Sequence, residues 1–291
     1  MTAARHDDLP APTALRIRLG AQLRRLRQQR NVSREAAGWE IRSSESKISR
    51  MELGRVPFKE RDVADLLTLY GVGEPERSAL LSLARQASAP GWWQHYADLV
   101  PPWFVSYLGL EQVASLIRTY DLQFVPGLLQ TADYARAVQR LLHTDASSAE
   151  IGRRIELGQG RQQVLRNSDP PMLWAVLDEA VLRRQIGGPE VMREQMLALI
   201  EASERPNVRL QIVSFRGGRF AAAGFPFAIL RFAEPELPDL VYVEQLTGAL
   251  YLDKPGDVEQ YTVTMERACV EAGALEHTVG ILREVLHETA R

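Results

Sequence analysis

The order of apolar and polar positions over the first 90 residues predicts a group of short helices. Leucines recur every three or four residues from Leu15 to Leu26, which is typical of one face of a helix. Ser33 and Ser44 are suited to cap two further helices, because a serine oxygen accepts from the free N–H groups of a first turn. The first, fourth and fifth helices are predicted at about 13–30, 59–70 and 75–87. Residues 13–88 are therefore predicted to form an all-α five-helix domain.

The segment between Val32 and Gly54 fits two short helices joined by one tight turn. In the second of them Ile48 and Met51 lie three positions apart and are predicted to face the core, while polar residues point outward. A pair of this kind, preceded by a basic helix, places its second helix in the major groove of DNA. The pattern therefore predicts a helix-turn-helix that contacts bases through helix 44–52.

Beyond residue 88 the pattern changes to interleaved helices and strands. The segment 89–104 is rich in tryptophan and proline and is predicted to be a linker to a second domain at 105–291. Strands are predicted at about 119–125, 172–177, 208–215, 225–232 and 240–244, with a weaker one at 249–253, and helices at about 103–117, 131–142, 149–166, 179–185, 189–204, 255–272 and 275–289. Because no regular βαβ repeat is evident, we predict an α+β domain around a mixed sheet of about five strands.

The composition is that of an ordinary soluble protein, and 291 residues are enough for two domains. No run of about 18 apolar residues is present, so no membrane span and no membrane partner is expected. Residues 1–12 lack the apolar stretch of a secretory signal and are expected to form a short disordered tail. The single cysteine, Cys269, excludes an internal disulfide and fits a reducing cytoplasm, where we expect the protein to act.

Charge is unevenly distributed along the chain. Residues 14–59 hold 12 basic and 4 acidic residues, whereas residues 90–291 hold 19 basic and 26 acidic ones. A local basic excess attracts phosphate, and the acidic remainder does not. Charge alone fits a solvated helix face equally well, but the neighbouring helix pair favours double-stranded DNA as the partner.

Residues on the outward side of helix 44–52 are candidates for contacting bases. An arginine such as Arg50 forms a bidentate pair with guanine, and a carboxylate such as Glu45 accepts from cytosine. Three cations near the ends of the helix pair are placed to reach phosphates, which set register and salt dependence rather than sequence preference. The base-contacting candidates are Glu45, Ser46, Lys47, Ser49 and Arg50, and the phosphate-binding candidates are Arg34, Arg55 and Lys59.

Four motifs in this region occur in a familiar order: Leu23-x-x-Leu26-Arg27, Ser33-Arg34-Glu35, Ser44-x-x-Lys47-Ile48-Ser49-Arg50-Met51-Glu52 and Gly54-Arg55. With them, residues 14–70 resemble the Xre-type (Cro/C1-type) helix-turn-helix family. The resemblance implies base contacts from positions early in the third helix, here Glu45, Ser46, Lys47 and Arg50. Two departures concern the turn: Gly38 stands where that family has alanine, and Arg42 replaces the usual glycine. Because an arginine disfavours positive φ, we expect a distorted turn.

Further motifs extend the resemblance over nearly the whole chain. They include Pro90-Gly91-Trp92-Trp93, Val125-Pro126-Gly127-Leu128-Leu129-Gln130-Thr131-x-Asp133-Tyr134-Ala135 and Val241-Tyr242-Val243-Glu244-x-Leu246-Thr247-Gly248-Ala249-Leu250-Tyr251-Leu252. The chain is similar to a group of actinobacterial Xre regulators, including WhiJ-like proteins, with a long C-terminal domain of unassigned function. Some are labelled antitoxin-like, because a small partner protein is often encoded beside them. The resemblance implies a transcriptional regulator.

No residues with catalytic or metal-binding spacing stand out. The five histidines are scattered, and Cys269 lies on the apolar side of a predicted helix, where a core position is favoured over a nucleophile. We therefore expect no enzymatic activity, no metal and no cofactor. The alternation over 240–253 places Tyr242 and Glu244 on one side of a strand, which fits either a solvated sheet face or a binding surface. The candidates for effector or partner binding are Arg118, Gln130 and Glu244.

The sequence thus predicts a sequence-specific DNA-binding transcriptional regulator, a repressor that acts as a homodimer and contacts bases through helix 44–52. Its C-terminal domain is expected to respond to a small-molecule effector or to a small protein encoded by an adjacent gene. The alternative is an antitoxin-like protein whose main role is to bind such a partner through residues 90–291.

Overall fold

The computed structural model describes residues 12–215, 224–233 and 237–289, and the chain forms two compact units. The described part of the first unit comprises residues 12–95 and 104–113 with Leu237, and that of the second comprises 96–103, 114–215, 224–233 and 238–289. The predicted tail at 1–12 lies outside the described residues, except for Pro12, where the first helix begins.

The first unit is a bundle of short helices. The leucines from Leu15 to Leu26 that the pattern places on one face are buried together with Leu66 and Leu67. Each such leucine stabilises the bundle by roughly 1.5–3 kcal/mol, and α1 packs on both α3 and α5. The predicted five helices are confirmed as α1 Pro12–Gln29, α2 Arg34–Glu40, α3 Glu45–Glu52, α4 Glu60–Leu69 and α5 Glu76–Ala87, and α6 Pro102–Glu111 falls largely in the same unit.

The second unit is built on a six-stranded mixed sheet. Its strands are β1 Ala114–Asp121, β2 Met172–Asp178, β3 Val208–Val213, β4 Phe227–Phe232, β5 Leu240–Gln245 and β6 Gly248–Leu252. They lie in the order β3-β2-β1-β4-β5-β6. The first three strands are parallel to one another, and β4, β5 and β6 each run antiparallel to the preceding neighbour in this order. The predicted α+β domain is confirmed, and the weaker strand predicted at 249–253 is a full edge strand.

The start of the sheet differs from the prediction. The sequence predicts a helix over 103–117 and a strand over 119–125, whereas α6 ends at Glu111 and β1 occupies Ala114–Asp121. Strand β1 is central, since β2 and β4 pair with its two edges, and Leu116 and Ile117 lie within it. A strand covered on both faces carries apolar residues without alternation, so periodicity alone does not separate it from a buried helix.

Two consecutive crossovers connect the parallel strands. Neighbouring parallel strands need such a connection, whereas β4, β5 and β6 follow one another directly. The sequence pattern shows no regular βαβ repeat, but this half of the sheet contains two βαβ connections in succession. The crossover helices are α7 Ala132–Leu142 and α8 Ser148–Gln162 between β1 and β2, and α9 Glu179–Arg183 and α10 Pro189–Ser203 between β2 and β3; α11 Pro255–Ala272 and α12 Glu276–Thr289 follow the sheet.

One face of the sheet is covered by α11. Its residues Met265 and Ala268 are buried against Tyr120, Val176 and Val241 of three different strands. Residues nearer the start of the parallel strands are less covered by α11. Trp174 of β2, for example, is only partly buried. Among the helices of the described residues, none has the length and apolar character needed to cross a membrane.

Candidate nucleic-acid interface

Both helices of the predicted pair begin at the expected serine. The Ser33 hydroxyl accepts from the backbone N–H of Ala36 at 3.0 Å, and the Ser44 hydroxyl accepts from that of Lys47 at 3.2 Å. Each bond satisfies a donor that a first helical turn leaves without a partner. The N-terminus of α3 is therefore fixed in direction by its own sequence.

The turn between α2 and α3 forms although glycine is absent from its usual position. Arg42 adopts a φ of 52°, in the left-handed region that arginine disfavours. The turn is closed by a hydrogen bond from the backbone N–H of Ser43 to the carbonyl of Gly38, at 2.8 Å. A Cβ atom on Gly38 would lie 2.8 Å from the Ser43 carbonyl oxygen, so only glycine permits this approach. Arg42 thus adopts the positive φ that arginine disfavours, and Gly38 makes room for the turn; the predicted distortion of the turn stays a prediction.

Helix α3 presents two different faces. Ile48 and Met51 are each 1 % exposed and pack in the core of the bundle, as predicted. On the opposite side Glu45, Ser46 and Arg50 are exposed to solvent. The Nε atom of Arg50 donates to the carbonyl of Ser46 at 3.3 Å, which lays the arginine along the exposed side of the helix. The outer face of α3 is thus polar and accessible.

The other predicted contact residues are less accessible. Ser49 is partly buried, and Lys47 forms an ion pair with Asp62 of α4, with 2.7 Å between Nζ and Oδ2. Arg34 is held by Glu52 at 3.3 Å, although about a third of its side chain remains exposed. Arg55 is partly buried, whereas Lys59 is exposed just before α4. The structure therefore leaves Lys59 accessible and holds Lys47 and Arg34 in internal ion pairs.

A buried carboxylate at the end of α3 connects three helices, and the sequence analysis missed its role. Glu52 is 2 % exposed, and both of its oxygens accept from Arg27 of α1, at 2.5 and 3.1 Å. The same carboxylate accepts from Arg34 of α2. The hydrogen bond to Glu52 raises the pKa of Arg27. An acidic residue between Met51 and Leu53, both apolar, in a basic segment was the available signal.

In the second unit, the three candidates for effector or partner binding lie apart. The sheet register places Arg118 on the face that carries Ile229 and Val241, and Glu244 on the opposite face. The Gln130 side chain donates to the carbonyl of Val125 at 2.7 Å, which closes the loop after β1. The structure therefore does not bring these residues into one site.

The face of the sheet that carries Glu244 carries a second acidic residue, Asp121. Glu244 is exposed at the end of β5, and partial desolvation of its carboxyl group raises its pKa, although the charge of Arg161 favours the ionised form. Further along the same face, burial raises the pKa of Asp121 to about 7, and its Oδ2 atom has no hydrogen-bond partner in the described structure. Tyr242 packs against Tyr251 with 5.1 Å between ring centres, as the predicted alternation implies.

Comparison with known protein families gives two matches. Residues 18–80, from α1 into α5, match a family described as a helix-turn-helix domain. Residues 104–284 match a family described as a domain of unknown function (DUF5753). No curated protein and no solved structure matches the chain. Because the second match spans more than half of its length, the chain belongs to the DUF5753 family and carries a helix-turn-helix domain at its N-terminal end.

Proposed function

We propose that this protein is a sequence-specific DNA-binding transcriptional regulator of the Xre type, which inserts α3 into the major groove. The observation that carries the proposal is the geometry of α3. Its apolar side is fixed by Ile48 and Met51, its N-terminus is capped by Ser44, and Glu45, Ser46 and Arg50 are exposed on the other side. A helix held in this way presents base-contacting side chains with little loss of conformational freedom.

The contacts divide into two classes. Arg50, with Glu45, Ser46 and Ser49, is proposed to contact base edges, whereas Lys59 and Arg55 are proposed to bind phosphates. Lys47 and Arg34 have weaker support, because each forms an ion pair with a carboxylate of the same unit. Arg34 would act mainly through the exposed part of its guanidinium group.

The two classes separate in a binding experiment with a preferred duplex, selected from random sequences, and a scrambled duplex of equal length. We predict that Arg50→Ala weakens binding to the preferred duplex by about 1–3 kcal/mol and leaves the scrambled duplex almost unaffected. Lys59→Ala is the matched control: it should weaken both duplexes alike and reduce the slope of log affinity against log salt by about one. Equal losses on both duplexes for Arg50→Ala would contradict a base-contacting role.

We also propose that the protein acts as a homodimeric repressor, because one such helix makes few base contacts and two copies contact half-sites about 34 Å apart. The second unit is proposed to supply control, by a small-molecule effector or by a partner protein. Analytical ultracentrifugation with and without the preferred duplex measures the stoichiometry. Two chains per duplex are expected, and one chain per duplex would contradict the dimer.

The alternative function is antitoxin-like, with binding of a small protein through residues 90–291 as the main role. One observation favours it: among the residues that the structure describes, Arg118 and Arg209 on the sheet of the second unit form no ion pair. Co-purification of the tagged full-length chain from its native host separates the two proposals. A stoichiometric small protein that stays bound when DNA is removed would support the alternative.

A further inference from the structure

Three side chains form a ladder across the parallel half of the sheet. The register pairs Arg118 of β1 with Trp174 of β2, and Trp174 with Arg209 of β3, so all three lie side by side on one face. The guanidinium carbon atoms of Arg118 and Arg209 are 5.5 and 5.2 Å from the centre of the Trp174 ring. Since β1 and β3 flank β2, the indole lies between two cations.

Hydrogen bonds fix the position of the Trp174 indole. Its Nε1 atom donates to the Gln211 side chain at 2.7 Å, and the amide of Gln211 donates in turn to the Cys269 carbonyl near the end of α11. Arg209 is exposed on the edge strand, and Arg118 and Trp174 are partly buried. The ladder is therefore a rigid and partly accessible surface, not a mobile pair of surface arginines.

Neither cation of the ladder is neutralised. Among the described residues, neither Arg118 nor Arg209 forms an ion pair, and the buried Nε atom of Arg118 has no hydrogen-bond partner. Arg231 of β4 shows the contrast, because Asp239 binds it with 2.7 Å between Nη2 and Oδ2. Two neighbouring cations without a carboxylate partner repel each other. An anionic ligand on the exposed part of the two guanidinium groups would relieve this repulsion.

We propose that Arg118, Trp174 and Arg209 form a docking surface for an acidic peptide segment of a partner protein. The surface is a sheet face rather than an enclosed cavity, which fits a macromolecule better than a small effector. Tryptophan and arginine are the residues that most often dominate the energy of protein interfaces. Because β1 and β3 are two strands apart, the cations are separated by roughly 10 Å. Two carboxylates of one extended segment span that distance.

Charge complementarity favours a peptide over nucleic acid. Residues 90–291 carry 26 acidic and 19 basic residues, so their net negative charge opposes the binding of a long phosphate chain. A short segment with a few carboxylates needs only the local cations. The inference rests on the proposed control by a partner, but it does not depend on base contacts from α3.

The test uses the full-length protein and a fluorescein-labelled peptide of about ten residues that carries a few glutamates among serines and glycines, with binding followed by fluorescence anisotropy. We expect the R118Q/R209Q double variant to bind this peptide about tenfold more weakly than the parent. The matched control is R140Q/R193Q, which removes two exposed cations from α7 and α10 of the same unit and should change binding less than about twofold. Equal losses in the two double variants would overturn the proposal.

A second variant and a competing nucleic-acid probe complete the test. Because Arg118 is partly buried, R209E on the exposed edge strand serves as a second variant and should also weaken peptide binding strongly. Single-stranded oligothymidylate of equal length is the competing probe, and tighter binding of it that is lost in R118Q/R209Q would overturn the peptide in favour of nucleic acid. Duplex binding by R118Q/R209Q should equal that of the parent. A negative result in the peptide experiment would therefore not count against base contacts from α3, which the duplex experiment tests separately.

Discussion

At the scale of single residues, two buried carboxylates show how a partner decides the behaviour of a charge. Glu52 is bound by Arg27 and by Arg34, so its negative charge is balanced inside the bundle. Asp121 lies at the end of β1 with one oxygen unpaired, and burial raises its pKa to about 7. Burial without a cation therefore favours the protonated form of Asp121 in the folded protein.

The Asp121→Asn variant should therefore change how stability depends on pH. The pKa of Asp121 is about 7 in the folded state and near its ordinary value when unfolded, so the folded state binds more protons in between. The contribution of Asp121 to the free energy of unfolding is present below about pH 4 and is lost as the pH rises to about 7. Asparagine does not titrate, so the Asp121→Asn variant does not show this loss of stability as the pH rises.

Urea denaturation followed by circular dichroism, from about pH 4 to about pH 8, measures the effect. The free energy of unfolding of Asp121→Asn relative to the parent should increase with pH, by an amount on the order of a few kcal/mol. Parallel stability curves for the two proteins across this range would show that the carboxyl is ionised normally in the fold.

Sequence reasoning reached some residues and missed others for physical reasons. The caps Ser33 and Ser44 were predictable, because capping depends on residues within a single turn. The burial of Glu52 was not, because it depends on Arg27, which is 25 positions earlier in the chain. The ladder of Arg118, Trp174 and Arg209 could not be predicted either, because only the register of three strands brings these residues together.

At the scale of elements, the α2–turn–α3 segment depends on one close approach. The backbone at Gly38 and Ser43 comes so near that a side chain on Gly38 would collide with the carbonyl of the turn. The same turn places Arg42 in the left-handed region. The orientation of α3 relative to α2 is thus determined by a glycine that sequence reasoning treated only as a departure from a family pattern.

We predict that Gly38→Ala destabilises the protein by about 1–3 kcal/mol, because the backbone must shift to accept the new methyl group. Gly152→Ala in α8 is the matched control, since nothing lies within 4 Å of its added Cβ. It should stabilise the protein by about 0.5–1 kcal/mol through helix propensity. Thermal denaturation of the two variants checks both signs, and stabilisation by Gly38→Ala would refute the close-packed turn.

Element boundaries were predictable where a turn or cap marks them. Helix α10 begins at Pro189 and α11 at Pro255, as the sequence indicates. The transition from α6 to β1 was misplaced, because the apolar run around Leu116 and Ile117 has no period that separates a central strand from a buried helix.

At the scale of the whole molecule, the two units divide the chemistry between them. The first unit carries the basic excess and the exposed face of α3. The second carries the acidic excess and the ladder of Arg118, Trp174 and Arg209, whose cations form no ion pair within the described part of the chain. The α+β class was predictable from interleaved elements, but the parallel order of β1 to β3 was not, since strand order depends on long-range pairing. We infer a regulator in which one unit contacts DNA and the other receives a partner.

Selection of duplexes from a random library by the full-length protein tests the central claim most directly. If α3 contacts bases in a homodimer, successive rounds should enrich a two-fold symmetric sequence with half-sites about 10 base pairs apart. Recovery of all sequences in equal proportion, with affinity set only by salt concentration, would contradict the claim that α3 determines sequence preference.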